Sequence, residues 1–408
     1  EFEINDKTSK HIILESSSPN TNKPLHLGHL RNILLGHAVA NILIADGNKV
    51  TKVQIINDRG IHICKSMVAW QQYSNGETPL STKTKGDILV GKYYVLFEKK
   101  YQEEIKKLMG EGLTLDEASA KSILLQAAKD MLKKWEDGDP EIIKLWKKMN
   151  SWVYSGFDQT YKMIGIQFDK NYYESDTYLI GKKHVLNGLN NKLFTQHEDK
   201  SIWVNLEEQK IDKKLLLRSD GTAVYITQDI GTAILRYNDF KFDQMIYVVG
   251  NEQNHHFNVL FSILKKMNLP WSKHLHHLSY GMVNLPDGKM KSREGTVIDI
   301  DDLLVEMYDN SKKMIINSGK SDYSSINHLS KIIGDAALKY FILKIDAKKD
   351  ILFNPKESID FHGHTGPFIQ YTFARINSIL QKAGDFNKTF DVDRKLLKEE
   401  ISIIKIIL

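Results

Sequence analysis

Two histidines flank a glycine at the start of a helical pattern, in the segment PLHLGHLRN at 24–32. His26 and His29 are three residues apart and project from one side of the first turn, while Gly28 leaves room for a bulky ligand. A helix N-terminus attracts anions, and imidazoles there can donate to phosphate oxygens. Two other interpretations are half of a zinc site, which lacks a third ligand here, and surface histidines that cap the helix. The position after a strand and a proline loop favours a phosphate site.

A second segment, LPDGKMKSREGTVI at 285–298, carries three basic side chains on a glycine-flanked loop. Lys289, Lys291 and Arg293 could neutralise a polyphosphate, because a mobile basic loop can close over a leaving group. Taken alone, such a loop is typical of a solvated surface. Paired with the HLGH segment, it predicts chemistry on a nucleotide.

The first 57 residues predict the elements that position the HLGH segment: a strand, a helix and a second strand. The apolar run at 11–16 predicts a short strand, and apolar residues recur at helical spacing from Leu27 until Asp46 and Gly47. A second strand follows at 49–57. This βαβ unit predicts an α/β fold with a Rossmann-type parallel sheet.

The rest of the chain divides by composition into an insertion, a second half-sheet and a helical region. Residues 66–200 are rich in Lys, Glu, Tyr and Trp and predict a helical insertion that splits the catalytic domain begun at 1–65. At 201–300 a strand (242–250) and a helix (254–267) predict the second half of the sheet, which should bring Gly28 and Gln253 to one crevice. Beyond 300 the pattern is helical, with Pro355 and Gly363–Pro367 at a junction.

Composition excludes several classes of protein. With 408 residues, 41% of them hydrophobic, the chain is long enough for two or three cores. Its single cysteine, Cys64, excludes an internal disulfide and a thiolate zinc cluster and fits a reducing cytosol. We find no apolar run that would span a bilayer and no signal-peptide pattern. A net charge of +5 is compatible with a polyanionic partner. Both ends of the chain look cut.

The two signatures together resemble HIGH and KMSKS of class I aminoacyl-tRNA synthetases, and the order and spacing of the surrounding segments resemble arginyl-tRNA synthetases. The segments that carry the resemblance are ESSSPNTNKPLHLGHLRN, RSDGTAVYITQDI, YVVGNEQNHHF, GMVNLPDGKMKSREGTV and GPFIQYTFARI. The resemblance covers nearly the whole chain. It implies a stem-contact region at 301–358 and the first part of an anticodon-binding helical domain at 359–408, without the family's amino-terminal tRNA-binding domain.

An arginine site also makes physical sense in these residues. A guanidinium needs a carboxylate in a planar arrangement, and Tyr225 and Asp229 share one face if their segment is helical. Without the resemblance, Asp229 would be a surface charge and Tyr225 a core aromatic. The resemblance implies that Glu15 also faces the guanidinium, and that Ser18, Asn20 and Gln253 hold the α-amino end.

The resemblance further implies an ATP site and its catalytic residues. The ATP site comprises His26, Gly28, His29, Gly250, His256, Lys289 and Ser292. The catalytic residues are Lys23, His26, His29 and Lys289. Ser292 stands where KMSKS has its second lysine, and Lys23, just before HLGH, occupies the position from which the family supplies that charge. The neighbouring His255 is structural in this interpretation, and we expect the histidines at 274–277 and 362–364 to be ordinary polar surface.

The resemblance implies an arginine–tRNA ligase that uses ATP with Mg²⁺ and needs bound tRNA(Arg) even for the first step. No protein side chain is assigned as a metal ligand. We expect a cytoplasmic monomer with no membrane partner. Two alternatives stay open: a non-catalytic RNA-binding paralogue, which the missing lysine would suit, and an HxGH-type nucleotidylyltransferase, which would not need the insertion or the helical tail.

Overall fold

The computed structural model describes residues 9–284, 298–317, 325–353, 364–384 and 395–407. In chain order the strands are β1 (His11–Glu15), β2 (Lys49–Ile56), β3 (Lys170–Tyr173), β4 (Thr195–Gln196), β5 (Ile202–Leu206), β6 (Ile211–Leu217), β7 (Gln244–Gly250), β8 (Leu275–Tyr280), β9 (Val283–Asn284) and β10 (Ile351–Leu352). The helices are α1 (Leu27–Ala45), α2 (Ile61–Tyr73), α3 (Pro79–Thr82), α4 (Gly86–Gly110), α5 (Leu115–Lys121), α6 (Ile123–Glu136), α7 (Pro140–Met163), α8 (Glu174–Asn190), α9 (Tyr225–Phe240), α10 (Asn254–Lys266), α11 (Ile300–Asn317), α12 (Ile326–Leu343), α13 (Gly366–Ala383) and α14 (Lys398–Ile407).

Five parallel strands form the central sheet, in the order β3-β2-β1-β7-β8. In β1, Ile13 pairs with Thr51 on one side and Met245 on the other. Ile12 and Leu14 enter one apolar cluster and Ile13 enters a different one, because successive side chains of a strand point to opposite faces. Both faces are therefore covered, as parallel sheets require. The predicted α/β fold with a parallel sheet is confirmed.

Helix α1 packs into the core beside this sheet. Leu27, Leu30 and Leu34 are buried, and the helix ends where Gly47 adopts a φ of +83°. The sequence predicted no apolar run long enough to span a bilayer, but within the described residues α1 alone is long and apolar enough by length and composition. Half of that stretch is buried inside the protein, as in the core helix of a globular domain.

Residues 66–200, predicted as a helical insertion, are mainly helical but also contain strands β3 and β4. Helices α2, α4, α6 and α7 share one apolar core with the start of α1. Helix α4 also approaches the loop before HLGH closely, since a Cβ on Gly91 would lie 2.8 Å from Pro24 Cδ. Strand β3, however, pairs with β2 in the central sheet. The sequence KNYY is too short and polar to be recognised as a sheet strand, so the predicted boundary overran it.

Two further elements differ from the prediction. Strands β4, β5 and β6 form a separate antiparallel sheet before α9, so the second half of the catalytic domain does not consist of central-sheet elements alone. Of the histidines at 274–277, predicted to be ordinary polar surface, His274 and His276 are exposed, whereas His277 is half-buried within β8 at the sheet's edge. His277 stacks on Phe257 with ring centroids 4.3 Å apart, and its Nε2 lies 3.0 Å from the Val249 carbonyl oxygen.

The region beyond residue 300 is mainly helical, as predicted, with α11 packed on α12 and α12 on α13. The Thr365 side chain caps the N-terminus of α13. Of the predicted junction, Pro355 and Gly363 lie outside the described residues. The assignments of 301–358 and 359–408 to tRNA stem and anticodon contacts stay predictions.

Candidate active site

The carboxyl ends of the five parallel strands meet at one edge of the sheet. Helix α1, with Gly28 in its first turn, follows β1, and the 3₁₀ turn that contains Gln253 follows the neighbouring strand β7. Ligands bind open α/β sheets outside these ends, where neighbouring strands send their connections apart. Gly28 and Gln253 therefore lie at the same edge, as the sequence predicted.

The two histidines of HLGH cap their own helix. His26 is the N-cap residue, and its Nδ1 accepts from the Gly28 N–H at 3.1 Å. His29 reaches back, so that its Nδ1 accepts from the His26 N–H at 3.1 Å. The two rings lie 3.9 Å apart between centroids. This is a capping box built from imidazoles, and it explains why the first turn tolerates two residues of modest helix propensity.

Burial keeps both rings neutral, and the capping bonds fix which nitrogen carries the proton. Burial, followed by the charge of Lys23, lowers the pKa of His26 to about 3. Burial, then His26 and Lys23, holds the pKa of His29 well below its usual range. Both rings are neutral at pH 7, and because each Nδ1 accepts a bond, each proton is on Nε2. The capping interpretation and the phosphate interpretation are thus compatible, since each Nε2–H is a donor that the cap does not use.

Lys23 lies beside these rings, in the loop that Gly91 of α4 contacts. Its charge lowers the pKa of both histidines, and burial lowers its own pKa. Lys23 is therefore near enough to the HLGH turn to act on the same ligand.

The predicted phosphate-binding loop residues Lys289 and Ser292 lie outside the described residues, but the segment after them is attached to the HLGH turn. The Leu27 N–H donates to the Ile298 carbonyl at 3.0 Å, and the Ile300 N–H donates to the Leu25 carbonyl at 3.0 Å. Residues 298–300, which follow 285–297 in the chain, therefore lie directly beside the HLGH turn. This attachment is consistent with the predicted pairing of the two signatures.

A narrow cavity of about 70 Å³ opens beside β1, β7 and α9. Its lining residues include Glu15, Ser18, Tyr225, Asp229, Gln253 and His256. Five of the six residues predicted to bind arginine are therefore brought together. The sixth, Asn20, is exposed, forms a β-bridge with Asn57 and is absent from the cavity lining. Gly250 lies at the end of β7, where a Cβ would lie 3.3 Å from Met282 Sδ.

Asp229 and Tyr225 lie on one face of α9, as their spacing predicted. Tyr225 is 59% exposed, which excludes the alternative of a core aromatic. The charge of Asp229, then burial, and then the charges of Glu15 and Glu174 raise the pKa of Tyr225. Asp229 Oδ2 lies 2.6 Å from His256 Nε2. His256, predicted on the nucleotide side, therefore contacts the predicted guanidinium partner in this structure.

Glu15 also lines the cavity, but its carboxylate already has a strong partner. It forms an ion pair with Arg236, whose side chain is 1% exposed, and Ser18 Oγ donates to its other oxygen at 3.3 Å. Ser17 and Ser18 have φ values of +82° and +47°, a conformation that non-glycine residues rarely adopt. This sharp turn at the end of β1 brings Ser18 over the cavity.

Sequence reasoning missed Arg31 and Asn32, directly after HLGH. The Arg31 guanidinium is buried and donates to carbonyls of two segments, at 2.6 Å to Gly281 and 2.6 Å to Lys349. Asn32 Nδ2 donates to the Val248 carbonyl at 2.6 Å. These two side chains fix α1 against β7 and against the segment before 285–297. Buried polar side chains in a strongly apolar helix were the signal that could have found them.

Glu174, at the start of α8, is a further carboxylate near the cavity that the sequence did not indicate. Burial raises its pKa to about 7, with Arg59 opposing and Asp58 and Asp229 adding to the shift. Glu174 thus adds a third acidic side chain to Asp229 and Glu15 around Tyr225. Such a site favours a cationic ligand.

A parallel sheet, a capped HLGH turn beside a lysine and an acidic cavity at the same edge define a class I tRNA synthetase catalytic domain. Residues 1–354 match the family model described as tRNA synthetases class I (R), catalytic domain. The chain belongs to this family, that of the arginyl-tRNA synthetases.

Similar proteins agree with this placement. The chain is 59% identical over 382 residues to an arginine–tRNA ligase of Bacteroides thetaiotaomicron, covering 93% of this chain and 64% of that protein. It is 56% identical over 400 residues to that of Flavobacterium psychrophilum, covering 97% and 66%. The solved Thermus thermophilus arginyl-tRNA synthetase shares the fold, with a TM-score of 0.77 at 22% identity over 98% of this chain and 69% of that one. The chain thus spans about two thirds of the length of such relatives.

Proposed function

We propose that this chain supplies the catalytic domain of an arginine–tRNA ligase. It activates arginine with ATP to arginyl-adenylate and pyrophosphate, and it then transfers the arginyl group to the terminal ribose of tRNA(Arg). The observation that carries the proposal is the juxtaposition of an acidic cavity, lined by Asp229 and Tyr225, with an HLGH turn whose imidazoles are neutral donors.

The first step needs no covalent nucleophile from the protein. The arginine carboxylate attacks the α-phosphorus of ATP, and the bond to pyrophosphate breaks. Negative charge develops on the phosphate oxygens, and preorganised donors that need not reorient stabilise it best. In this proposal the Nε2–H groups of His26 and His29 provide such donors, since their Nδ1 atoms are held by the cap. Lys23, with Lys289, neutralises the departing pyrophosphate.

The cavity provides the amino-acid site in this proposal. Asp229 accepts from the guanidinium with Tyr225 beside it, and Gln253, Ser18 and Asn20 bind the α-amino end. Because Glu15 is paired with Arg236, its part is to keep Arg236 in place and to add to the local negative potential. This modifies the direct guanidinium contact that the resemblance implied.

Mg²⁺ enters this proposal as the ion that accompanies the phosphates of ATP. Among the described residues there is no group of three or more histidine, cysteine or acidic side chains that could hold a metal. No protein ligand is assigned to the ion, and no step is derived through it. A monomeric, cytoplasmic enzyme completes the proposal.

Pyrophosphate exchange into ATP tests the function. We expect exchange that depends on arginine and also on bound tRNA(Arg). Pyrophosphate exchange that depends on a nicotinamide nucleotide or a pantetheine phosphate, instead of on arginine, would identify a nucleotidylyltransferase. Binding of tRNA(Arg) without arginine binding or exchange would identify a non-catalytic paralogue.

A further inference from the structure

One of the two carboxylate oxygens of Asp229 already has a partner within the protein. His256 Nε2 lies 2.6 Å from Asp229 Oδ2, and the two side chains are 21% and 25% exposed. The same imidazole lies 5.1 Å, between ring centroids, from Tyr225. Both side chains proposed to bind the guanidinium therefore contact one ring of this chain.

The two carboxylates in the cavity wall, Glu15 and Asp229, both have partners within this chain. It measures about 70 Å³, and His256 forms part of its wall. Glu15, the other carboxylate in that wall, is bound to the buried Arg236. A guanidinium that pairs with both oxygens of Asp229 must take the place of the imidazole at Oδ2. The two donors compete for this oxygen, because a fork of two parallel N–H···O bonds needs Oδ2 as well as Oδ1.

We propose that His256 is a latch on the arginine pocket: it holds Asp229 while the pocket is empty, and arginine binds by displacing it. This inference rests on the proposed function. With the latch, the apparent affinity for arginine equals the intrinsic affinity multiplied by the fraction of molecules in which the ring is away from Asp229. In return, it satisfies a half-buried carboxylate that would otherwise lie unpaired between Tyr225 and Glu15.

His256→Phe tests the latch, because it keeps an aromatic ring beside Tyr225 and Phe257 but removes the donor to Asp229. Arginine binding is measured by calorimetry without ATP. For a partly exposed hydrogen bond to a carboxylate we expect the dissociation constant of arginine to fall roughly five-fold in the variant. His255→Phe, on the same turn but exposed, is the matched control and should leave the constant unchanged.

Weaker binding to His256→Phe would overturn the latch, since it would make His256 a contact of the ligand. Unchanged binding would overturn it too, since the ring would then not compete. Arginine binding to neither the wild type nor the variant would overturn the proposed function and the latch with it. The outcomes for the two proposals are therefore distinguishable.

A second measurement needs no variant. In long-range ¹H–¹⁵N spectra of the wild-type chain, the His256 Nε2 resonance should shift as arginine is added and should reach a plateau with the calorimetric dissociation constant. Urea should not produce the shift, because it carries no charge to replace the imidazole at Asp229. A His256 resonance that stays in place at saturating arginine would contradict displacement.

Discussion

Replacing Asp229 by Asn should weaken arginine binding far more than citrulline binding. The guanidinium would lose a carboxylate, and the amide NH₂ would direct donors at donors. Citrulline is nearly isosteric with arginine but neutral, so it has no charge to leave unpaired. The substitution therefore tests the charge of Asp229 rather than its shape.

The magnitude follows from the exposure of the site. Exposed ion pairs contribute up to about 1 kcal/mol, whereas breaking a buried pair costs about 3–5 kcal/mol. Asp229 is 25% exposed, which places the expected loss between these limits, at about 2–3 kcal/mol. This corresponds to a dissociation constant for arginine that is roughly 30- to 150-fold higher.

Calorimetry with arginine, citrulline and ATP measures the effect. Asp212→Asn, which removes the same charge from an exposed position on β6, is the control and should bind all three ligands as the wild type does. ATP affinity should also persist in Asp229→Asn, because the proposed nucleotide contacts lie at the HLGH turn. Equal losses for arginine and citrulline would refute the assignment of Asp229 as the guanidinium partner.

Three other substitutions test the surroundings of the site. In a full-length version with bound tRNA(Arg), Lys23→Ala should raise the activation free energy of arginyl-adenylate formation by about 2.7–4 kcal/mol in single-turnover assays, with arginine affinity preserved. A loss confined to arginine binding would contradict the role of Lys23 at the phosphates. Asp299→Asn tests a pH effect: burial, followed by Asp302, Asp87 and Asp301, raises the pKa of Asp299 to about 7. The folded state then holds this proton more tightly than the unfolded state. The free energy of unfolding should therefore fall by roughly 2–4 kcal/mol as the pH rises from about 4 to 7. In urea unfolding at pH 5 and pH 8, Asp299→Asn should reduce this fall, and an unchanged difference would contradict the assignment. Arg31→Lys should lower the free energy of unfolding by about 3 kcal/mol, since one ammonium cannot reach the carbonyls of both Gly281 and Lys349. A free energy of unfolding within about 0.5 kcal/mol of the wild-type value would contradict the role of Arg31 in joining these two segments.

Much of the central fold could be predicted because its strands and helices have clear periods. The apolar run of β1, the leucine spacing of α1 and the turn at Gly47 specify the first βαβ unit, and β7 and α10 repeat the pattern. Strands β3 and β8 could not be found in this way. Their sequences, KNYY and LHHLSY, contain no apolar run, and they become strands because β2 and β7 offer an open edge for pairing.

The candidate site was predictable in its residue types but less so in its contacts. The spacing of HLGH suggested a ligand at the helix N-terminus, yet the reciprocal cap between His26 and His29 depends on ring orientation, which spacing does not specify. The pairs of Asp229 with His256 and of Glu15 with Arg236 join residues far apart in sequence. Such pairs arise from the crossover connections of the sheet, and a single sequence carries no local pattern for them.

The claim that one edge of the sheet binds arginine and adenosine phosphate together is tested most directly with one ligand that joins arginine to adenosine through a substitute for the phosphate. Arginyl-sulfamoyl-adenosine, a stable analogue of arginyl-adenylate, can be titrated into the chain by calorimetry without any turnover. We predict that it binds at least about 100-fold more tightly than arginine or ATP alone, as analogues of reaction intermediates do, and that Asp229→Asn removes most of its advantage over the citrullyl analogue. Equal affinity for the arginyl and citrullyl analogues in the wild type would contradict the account.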